Sequence, residues 1–193
     1  MSGNARRRNA TAAIALTVLA GGALLSGLPA QSAESQGKGK RTARATLVNA
    51  AGETIGAVRF ERRGKSRAVQ VTVRVSKLSS GFHGFHVHTV GTCNGPDFMT
   101  AGPHLNPAGA DHPGHAGDMP GLLVTSDGTA QARFTTDRFS LPDLRDADGS
   151  AVIVHALPDN HANIPQERYD PDPDTMTLAT GDSGARIACG LVR

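Results

Sequence analysis

Apolar and polar side chains alternate along most of the chain from Arg44 onward, with the period of two that is typical of half-buried β-strands. The clearest example is the run 69–76, whose four valines all fall on one face. Eight short segments have strand character, and they are 45–48, 54–62, 69–76, 82–88, 122–126, 129–135, 151–155 and 185–192. No segment has a sustained helical period. The predicted fold class is therefore all-β, an antiparallel sandwich or barrel.

Two long loops interrupt this series of strands, at 91–120 and 157–184, and both are rich in residues that favour turns. A loop of this length in a compact domain is uncommon unless it has a function. Between the loops, Asp127-Gly128 separates two strands and predicts a hairpin with a type I′ turn. The loops are thus the first places to look for a site.

The N-terminal segment has the composition of an export signal. Arg6, Arg7 and Arg8 precede an apolar run at 10–28 that contains no acidic residue, and small residues follow up to Ala33. This order predicts a secretory signal peptide over residues 1–33, with a retained membrane anchor as the alternative. Residues 34–43 are predicted to be a flexible linker and 44–193 a single domain. The mature protein is then expected to be secreted or extracytoplasmic, with no stable membrane insertion.

The charge of the chain does not indicate a nucleic-acid partner. Of its 20 lysines and arginines, three lie in the predicted signal peptide, so the remaining basic residues are matched by the 17 acidic ones. No basic run with interleaved aromatic residues remains, and we expect no nucleic-acid binding.

Cys93 and Cys189 are the two cysteines of the chain. An exported protein folds in an oxidising compartment, which favours a disulfide between them. A pair of metal thiolates is the alternative, although neither cysteine belongs to a C-x-x-C motif.

Histidines are concentrated at 81–118, which holds six of the eight in the chain. His86 and His88 lie two residues apart in a predicted strand, so both side chains project from the same face and could bind one ion. The following loop carries a set of four residues with the ligand types of a tetrahedral zinc site: His104, His112, His115 and Asp118. His155 lies far away on another strand. It could be a third ligand beside His86 and His88, in an imidazole-rich site of the kind that suits copper, or a buried histidine bonded to backbone.

Five motifs resemble those of copper/zinc superoxide dismutases, and they occur in the order of that family from about Arg44 to the C-terminus. They are Gly84-Phe85-His86-Val87-His88, Ala101-Gly102-Pro103-His104-Leu105-Asn106-Pro107, His115-Ala116-Gly117-Asp118, Val154-His155-Ala156 and Gly184-Ala185-Arg186-Ile187-Ala188-Cys189-Gly190. The chain is most similar to the secreted members of Gram-positive bacteria. The resemblance implies an eight-stranded Greek-key barrel with two long functional loops.

The resemblance also implies the site residues. The copper ligands would be His86, His88, His104 and His155, and the zinc ligands His104, His112, His115 and Asp118. His104 would bridge the two ions, Asp159 would link one ligand of each metal, and Arg186 would face the open copper position. Cys93 and Cys189 would form the disulfide of the family, while His83 would be structural and His161 a surface residue.

Two features depart from the family pattern. Ala179 occupies the position, seven residues before Arg186, at which well-studied members carry a lysine, so electrostatic attraction of the substrate would depend mainly on Arg186 and the metals. The second loop also contains an acidic insert at 170–174. This insert is expected to be a solvated turn, with calcium binding as the alternative.

The function implied by the resemblance is dismutation of superoxide to oxygen and hydrogen peroxide by redox cycling of copper, with a structural zinc. A non-catalytic copper-binding module of the same fold is the alternative. A zinc hydrolase is disfavoured because four protein ligands leave no open position on the zinc.

Overall fold

The computed structural model describes residues 41–165, 167, 169 and 172–193. The predicted signal peptide, most of the predicted linker and part of the acidic insert at 170–174 lie outside the described residues. In the described part of the chain, no helix is long and apolar enough to cross a bilayer.

The described residues form an all-β domain, as predicted. The strands are β1 (Thr42–Asn49), β2 (Thr54–Arg62), β3 (Val69–Val75), β4 (Gly81–His83), β5 (Phe85–His88), β6 (Leu122–Val124), β7 (Ala130–Thr136), β8 (Ala151–His155) and β9 (Arg186–Leu191). Single 3₁₀ turns occur at Met99–Ala101 and Asp143–Arg145, and a short helix, α1, spans Thr175–Thr180.

The strands are arranged as an antiparallel Greek-key sandwich. Seven strands form one curled sheet in the order β5-β8-β9-β1-β2-β3-β7, and β4 pairs with β6 in a second, two-stranded sheet. Strands that are neighbours in the sheet but distant in sequence include β5 with β8 and β1 with β9. This topology places the histidines of β5 beside the end of β8.

Where one strand was predicted at 82–88, the structure has two, so the described residues form nine strands where eight were expected. The break is at Gly84, whose N–H donates to Leu157 O (2.8 Å) while its carbonyl accepts from His155 N (2.8 Å). A Cβ at this position would lie 2.5 Å from Ser183 Cβ, so only glycine allows the second loop to approach this closely. The break transfers the chain from the small sheet to the large one.

The core is built mainly from the inward faces of these strands. The valines of β3 confirm the predicted alternation, since Val69, Val71 and Val73 are fully buried between more exposed neighbours. Phe60 and Phe139 meet edge to face with ring centroids 6.0 Å apart. Burial of such side chains is worth about 1.5–3 kcal/mol each and fixes the sheet that carries the site.

The predicted type I′ turn at Asp127-Gly128 is wrong. Gly128 has a positive φ of 79°, but Asp127 does not share it. Gly128 N donates to Thr125 O and Thr125 N to Thr129 O, both at 2.9 Å, within a five-residue connection at 125–129. The two strands do not form the predicted hairpin ladder, since β6 pairs with β4 and β7 pairs with β3. The Asp127 carboxylate accepts from Thr129 N at 3.0 Å, which stabilises this longer loop.

Helix α1 was not predicted, because its six residues are too few to show a helical period. Its ends nevertheless carry residues that commonly cap helices. Thr177 N donates to Asp174 Oδ1 at 2.8 Å, which caps the N-terminus. Gly181 follows the last turn in the left-handed conformation, with φ of 66°.

The predicted disulfide between Cys93 and Cys189 is present, with the Cα atoms 5.7 Å apart. It attaches the first long loop to β9 and packs in a small cluster with Phe98, Ala101 and Ile153. A crosslink across 96 positions of sequence mainly restricts the unfolded chain.

Removal of this crosslink by the double change Cys93→Ala and Cys189→Ala is expected to lower the free energy of unfolding by about 4–5 kcal/mol, the loop-entropy value for this separation. Guanidinium titration of the metal-free protein measures the effect. Wild-type protein in reductant is the matched control. It keeps both cysteine side chains, and its free energy of unfolding should fall by a similar amount. Equal stability of the oxidised wild type and the double variant would contradict the prediction.

Candidate metal centre

His86 and His88 are both completely buried on β5. Strand pairing places His86 opposite Ile153 and His88 opposite Ala151, both on β8. On the other side, isolated bridges join His86 to Asp118 and His88 to His104. The first long loop is therefore attached along β5, which brings its ligand-type residues beside the two histidines.

His155 reaches the same place through an irregularity at the end of β8. The register between β8 and β9 shifts after Val154, so that His155 lies opposite Arg186. Such bulges change the direction of a side chain next to a site. The two alternatives for His155 were a backbone-bonded buried histidine and a third ligand beside His86 and His88, and the structure has features of both. Its Nδ1 donates to Gly184 O at 3.1 Å, and its Nε2 is buried among the other histidines.

Four histidines form a first group, defined as His86, His88, His104 and His155, whose ligand atoms all lie within 4.8 Å of one another. Among the described residues, His86 Nδ1, His88 Nε2 and His155 Nε2 are buried without a hydrogen-bond partner. Leaving a buried polar atom unpaired costs about 1–3 kcal/mol, so three in one place call for a ligand. A metal ion bound to these nitrogens would satisfy all three, and the residues therefore fit an imidazole-bound copper.

The other ring nitrogen of each of these histidines is held by the protein. His88 Nδ1 donates to Gly102 O at 2.8 Å, and His86 Nε2 donates to Asp159 Oδ2 at 2.5 Å. Together with the bond from His155 to Gly184, these contacts select the tautomer that leaves a lone pair facing the centre of the group.

Three histidines and one aspartate form a second group, defined as His104, His112, His115 and Asp118. The Nδ1 atoms of all three histidines converge on the Asp118 carboxylate, at 2.9 Å for His104, 3.1 Å for His112 and 3.2 Å for His115. The His112 approach lacks hydrogen-bond geometry, and the His104 and His115 Nδ1 atoms are 3.3 Å apart. Four ligand atoms this close have the number and type that tetrahedral zinc requires.

His104 belongs to both groups. Its Nδ1 faces the second group, and its ring lies against His86 and His88 with centroid separations of 4.1 and 4.9 Å. Since the two nitrogens of an imidazole point to different sides of the ring, Nε2 is left for the first group.

Asp159 connects the two groups from the second loop. Its side chain is 1% exposed, and its two oxygens accept from His86 Nε2 (2.5 Å) and His112 Nε2 (2.8 Å). One carboxylate thereby orients one histidine of each group.

The electrostatics of the centre differ between the groups. Burial lowers the pKa of His86 to about 4 and that of His155 to about 3, so both are neutral and able to bind a metal at pH 7. Burial also favours a neutral His112, but Asp118 and Asp159 outweigh it and raise the pKa of His112 to about 9. Burial would raise the pKa of Asp118, yet the hydrogen bond from His104 and the close approach of His112 hold it well below its usual range. The second group is thus an anionic carboxylate surrounded by imidazoles, and in the metal-free protein it holds a proton that a cation would displace.

Arg186 is held beside the first group by backbone carbonyls of the first loop. Its Nη1 donates to Phe98 O (2.9 Å) and its Nη2 to Gly102 O (2.7 Å), the same carbonyl that holds His88. Burial lowers the pKa of Arg186 from its usual high value, and the side chain remains a cation. The disulfide fixes the same loop to β9.

The two remaining histidines stand apart from the groups, as predicted. His83 is buried, with Nδ1 2.7 Å from His155 O and Nε2 2.9 Å from Ser79 O, so it supports β8 from within the barrel. His161 has an exposed side chain. Ala179, where the family pattern has a lysine, lines a cavity of about 560 Å³ together with His104 and His115.

Comparison with known proteins agrees with this geometry. The family described as copper/zinc superoxide dismutase matches residues 54–192. The chain is 39% identical over 183 residues to the Cu-Zn superoxide dismutase of Mycobacterium tuberculosis, covering 86% of this chain and 75% of the relative. It is 37% identical over 153 residues to superoxide dismutase [Cu-Zn] 2 of Brassica juncea, covering 76% and 93%.

Solved structures show the same fold. A SOD-like protein from Bacillus subtilis superposes with a TM-score of 0.62 at 29% identity, covering 77% of this chain and 96% of that one. The clock protein EA4 superposes with a TM-score of 0.64 at 28% identity, covering 79% and 93%.

The fold and the paired histidine groups define a metalloprotein of the dismutase type. The chain belongs to the copper/zinc superoxide dismutase family, as its motifs predicted. It is an enzyme of that class, with copper and zinc as cofactors.

Proposed function

We propose that this enzyme converts superoxide to oxygen and hydrogen peroxide, with copper bound by the first group and zinc by the second. The observation that carries this assignment is the difference in ligand type between the two groups. The first consists of imidazoles only, three of them with unpaired buried nitrogens. The second adds a carboxylate and has the four ligands of a closed zinc site.

The overall reaction consumes two superoxide anions and two protons and releases one O₂ and one H₂O₂. Copper in the first group would supply the one-electron chemistry, since it changes oxidation state and zinc does not. The chain's own residues then have three tasks, which are to attract an anion, to orient it and to deliver a proton.

Arg186 supports the first two tasks. It is a cation whose guanidinium is immobilised by two carbonyls, so its charge is preorganised beside the first group. A fixed positive charge at a half-buried position both attracts superoxide and stabilises negative charge there.

His104 supports the proton delivery. Its Nδ1 is retained by the second group, which leaves Nε2 as the atom able to hold a proton toward the first group. A proton at this atom is placed where a peroxide product requires it. The alternative, a non-catalytic copper-binding module, lacks a specific observation in its favour, because all four imidazoles and the arginine are present.

We also propose that the enzyme acts outside the cytoplasm. The disulfide is typical of an oxidising compartment, and the predicted export signal over residues 1–33 supports the same location.

The test is activity after export and metal loading. The processed protein, purified from the producing cells and loaded with copper and zinc, should dismute superoxide near the diffusional ceiling of about 10⁸–10⁹ M⁻¹s⁻¹, which superoxide dismutases as a class reach. Protein loaded with zinc alone is the control and should be inactive. Full copper occupancy without activity would favour the copper-binding module.

A further inference from the structure

Asp159 is followed by a turn whose backbone bonds back to the Asp159 side chain. Asp159 uses both oxygens on the histidines, and Oδ1 accepts a further bond from His161 N at 2.7 Å. This third bond requires an unusual backbone, since His161 (φ 47°) and Ala162 (φ 58°) are both left-handed. Such residues cost free energy unless their surroundings hold them in place.

The half-buried side chain of Asn160 holds this turn from inside. Its Oδ1 accepts from Ala162 N at 2.8 Å, which closes the left-handed turn. Its Nδ2 donates to Asp182 Oδ2 at 3.1 Å and to Thr177 O at 3.3 Å. The backbone N–H of Asn160 donates to Gly181 O at 2.8 Å. One residue therefore ties the turn to α1 and to the segment that follows it.

The segment tied by Asn160 encloses the Asp159 carboxylate from the other side. A Cβ on Gly181 would lie 2.6 Å from Asp159 Oδ1 and 2.4 Å from His112 Nε2. The backbone at Gly181 thus covers the hydrogen bond between Asp159 and His112. Movement of this segment relative to the turn would open the enclosure of the carboxylate that serves both groups.

We propose that the pair formed by Asn160 and Asp182 positions Asp159, so that the affinities of both metal groups depend on an amide–carboxylate contact outside them. The inference deepens the proposed function and rests on its assignment of the two groups. Asn160 is a positioning residue in this scheme, because it acts through Asp159 and contacts no ligand side chain of either group in the described structure.

The contact between Asn160 and Asp182 has one donor and one acceptor, so it can be tested by exchanging the two side chains. Asn160→Asp would place two carboxylates at the 3.1 Å contact and leave Thr177 O without its donor. Two carboxylates this close disfavour each other's ionised form, and this repulsion would open the turn. Adding Asp182→Asn restores one donor and one acceptor with the direction reversed. Asparagine also suits the left-handed backbone at position 182, where φ is 56°.

The experiment measures Cu²⁺ and Zn²⁺ affinity by chelator competition, the visible spectrum of bound Cu²⁺, and the melting temperature of the metal-free protein. Asn160→Asp should weaken both metals about tenfold, as loss of outer contacts to metal ligands does, and should shift the copper spectrum. The exchanged double variant should recover both affinities to within about threefold of the wild type.

One further variant weakens the contact without adding charge, and another is a control. Asp182→Asn alone removes the carboxylate but keeps an acceptor for Asn160 Nδ2, and should weaken both metals less than Asn160→Asp does. Asn163→Asp adds the same charge three residues along the loop, at a residue that bonds to Asn160 O through its backbone N–H, and should bind both metals as the wild type does.

Several results would overturn the inference. One is that Asn160→Asp binds both metals as tightly as the wild type, and another is that it weakens only one of them. A third is that the exchanged double variant folds but does not recover the lost affinities. If Asn160→Asp does not fold, Asn160→Ala removes the contacts without added charge and should still weaken both metals together. A wild type that binds no copper and zinc would instead refute the proposed function, so the two failures are distinguishable.

Discussion

His104→Ala is expected to weaken both metal groups at once, with the larger loss at zinc. Its Nδ1 lies within 2.9 Å of Asp118 Oδ1, and its ring packs on His86 and His88 of the first group. Changes outside the ligand set already lower metal affinity by about 10- to 100-fold, so loss of a ligand should cost zinc more than about 100-fold. Copper keeps three imidazoles and should be weakened less. Competition with chromophoric chelators measures both affinities in one preparation.

His161→Ala is the matched control for this prediction. It removes the same side chain from an exposed position, where its Nδ1 lies 3.5 Å from Asp159 Oδ1, and its backbone N–H to Asp159 remains. Much smaller losses than in His104→Ala are expected there. An unchanged zinc affinity in His104→Ala would show that His104 is not shared between the two metals.

Arg186→Ala is expected to lower kcat/KM for superoxide by about 10- to 100-fold, with little change in copper content. The guanidinium is the fixed cation beside the first group, and no ligand nitrogen is lost with it. Since steering of a charged substrate weakens with ionic strength, the salt dependence of the rate should also become shallower. Pulse radiolysis at several salt concentrations measures both effects.

Two comparison variants separate charge from geometry. Arg186→Lys keeps the charge but lacks the planar fork that bonds to Phe98 O and Gly102 O, so its activity should fall between those of Ala and Arg. Arg133→Ala removes one positive charge from β7 and should leave the rate nearly unchanged. A full rate in copper-loaded Arg186→Ala would contradict the proposed role.

Much of the fold could be predicted because burial in a sheet repeats every two residues. The ranges of β2 and β8 were predicted residue for residue, and the valines of β3 lie on the predicted face. The break at Gly84 was missed because the residues on either side of it continue the strand pattern. It is caused by contact with Leu157 and Ser183 of the second long loop. The sequence around Gly84 does not show that this loop packs against it.

The site was predictable to different degrees. His86 and His88 follow from strand geometry, and the ligand types at 104–118 indicated zinc without any structural knowledge. The residues alone left His155 open, and its role came from the family resemblance, because a register shift between β8 and β9 decides its direction. Neither the sequence pattern nor the family motifs indicated Asn160, whose contacts join segments about twenty residues apart.

The sequence by itself determined the all-β class, six of the seven residues of the two groups (all but His155), and the two cysteines that form the disulfide. These depend on local periodicity and on the chemistry of side chains, which can be read along the chain. The tertiary structure alone decided which nitrogen of each imidazole is free for a metal. That choice is made by Asp159 and by the Gly102 and Gly184 carbonyls, because a hydrogen bond at one ring nitrogen leaves the lone pair on the other.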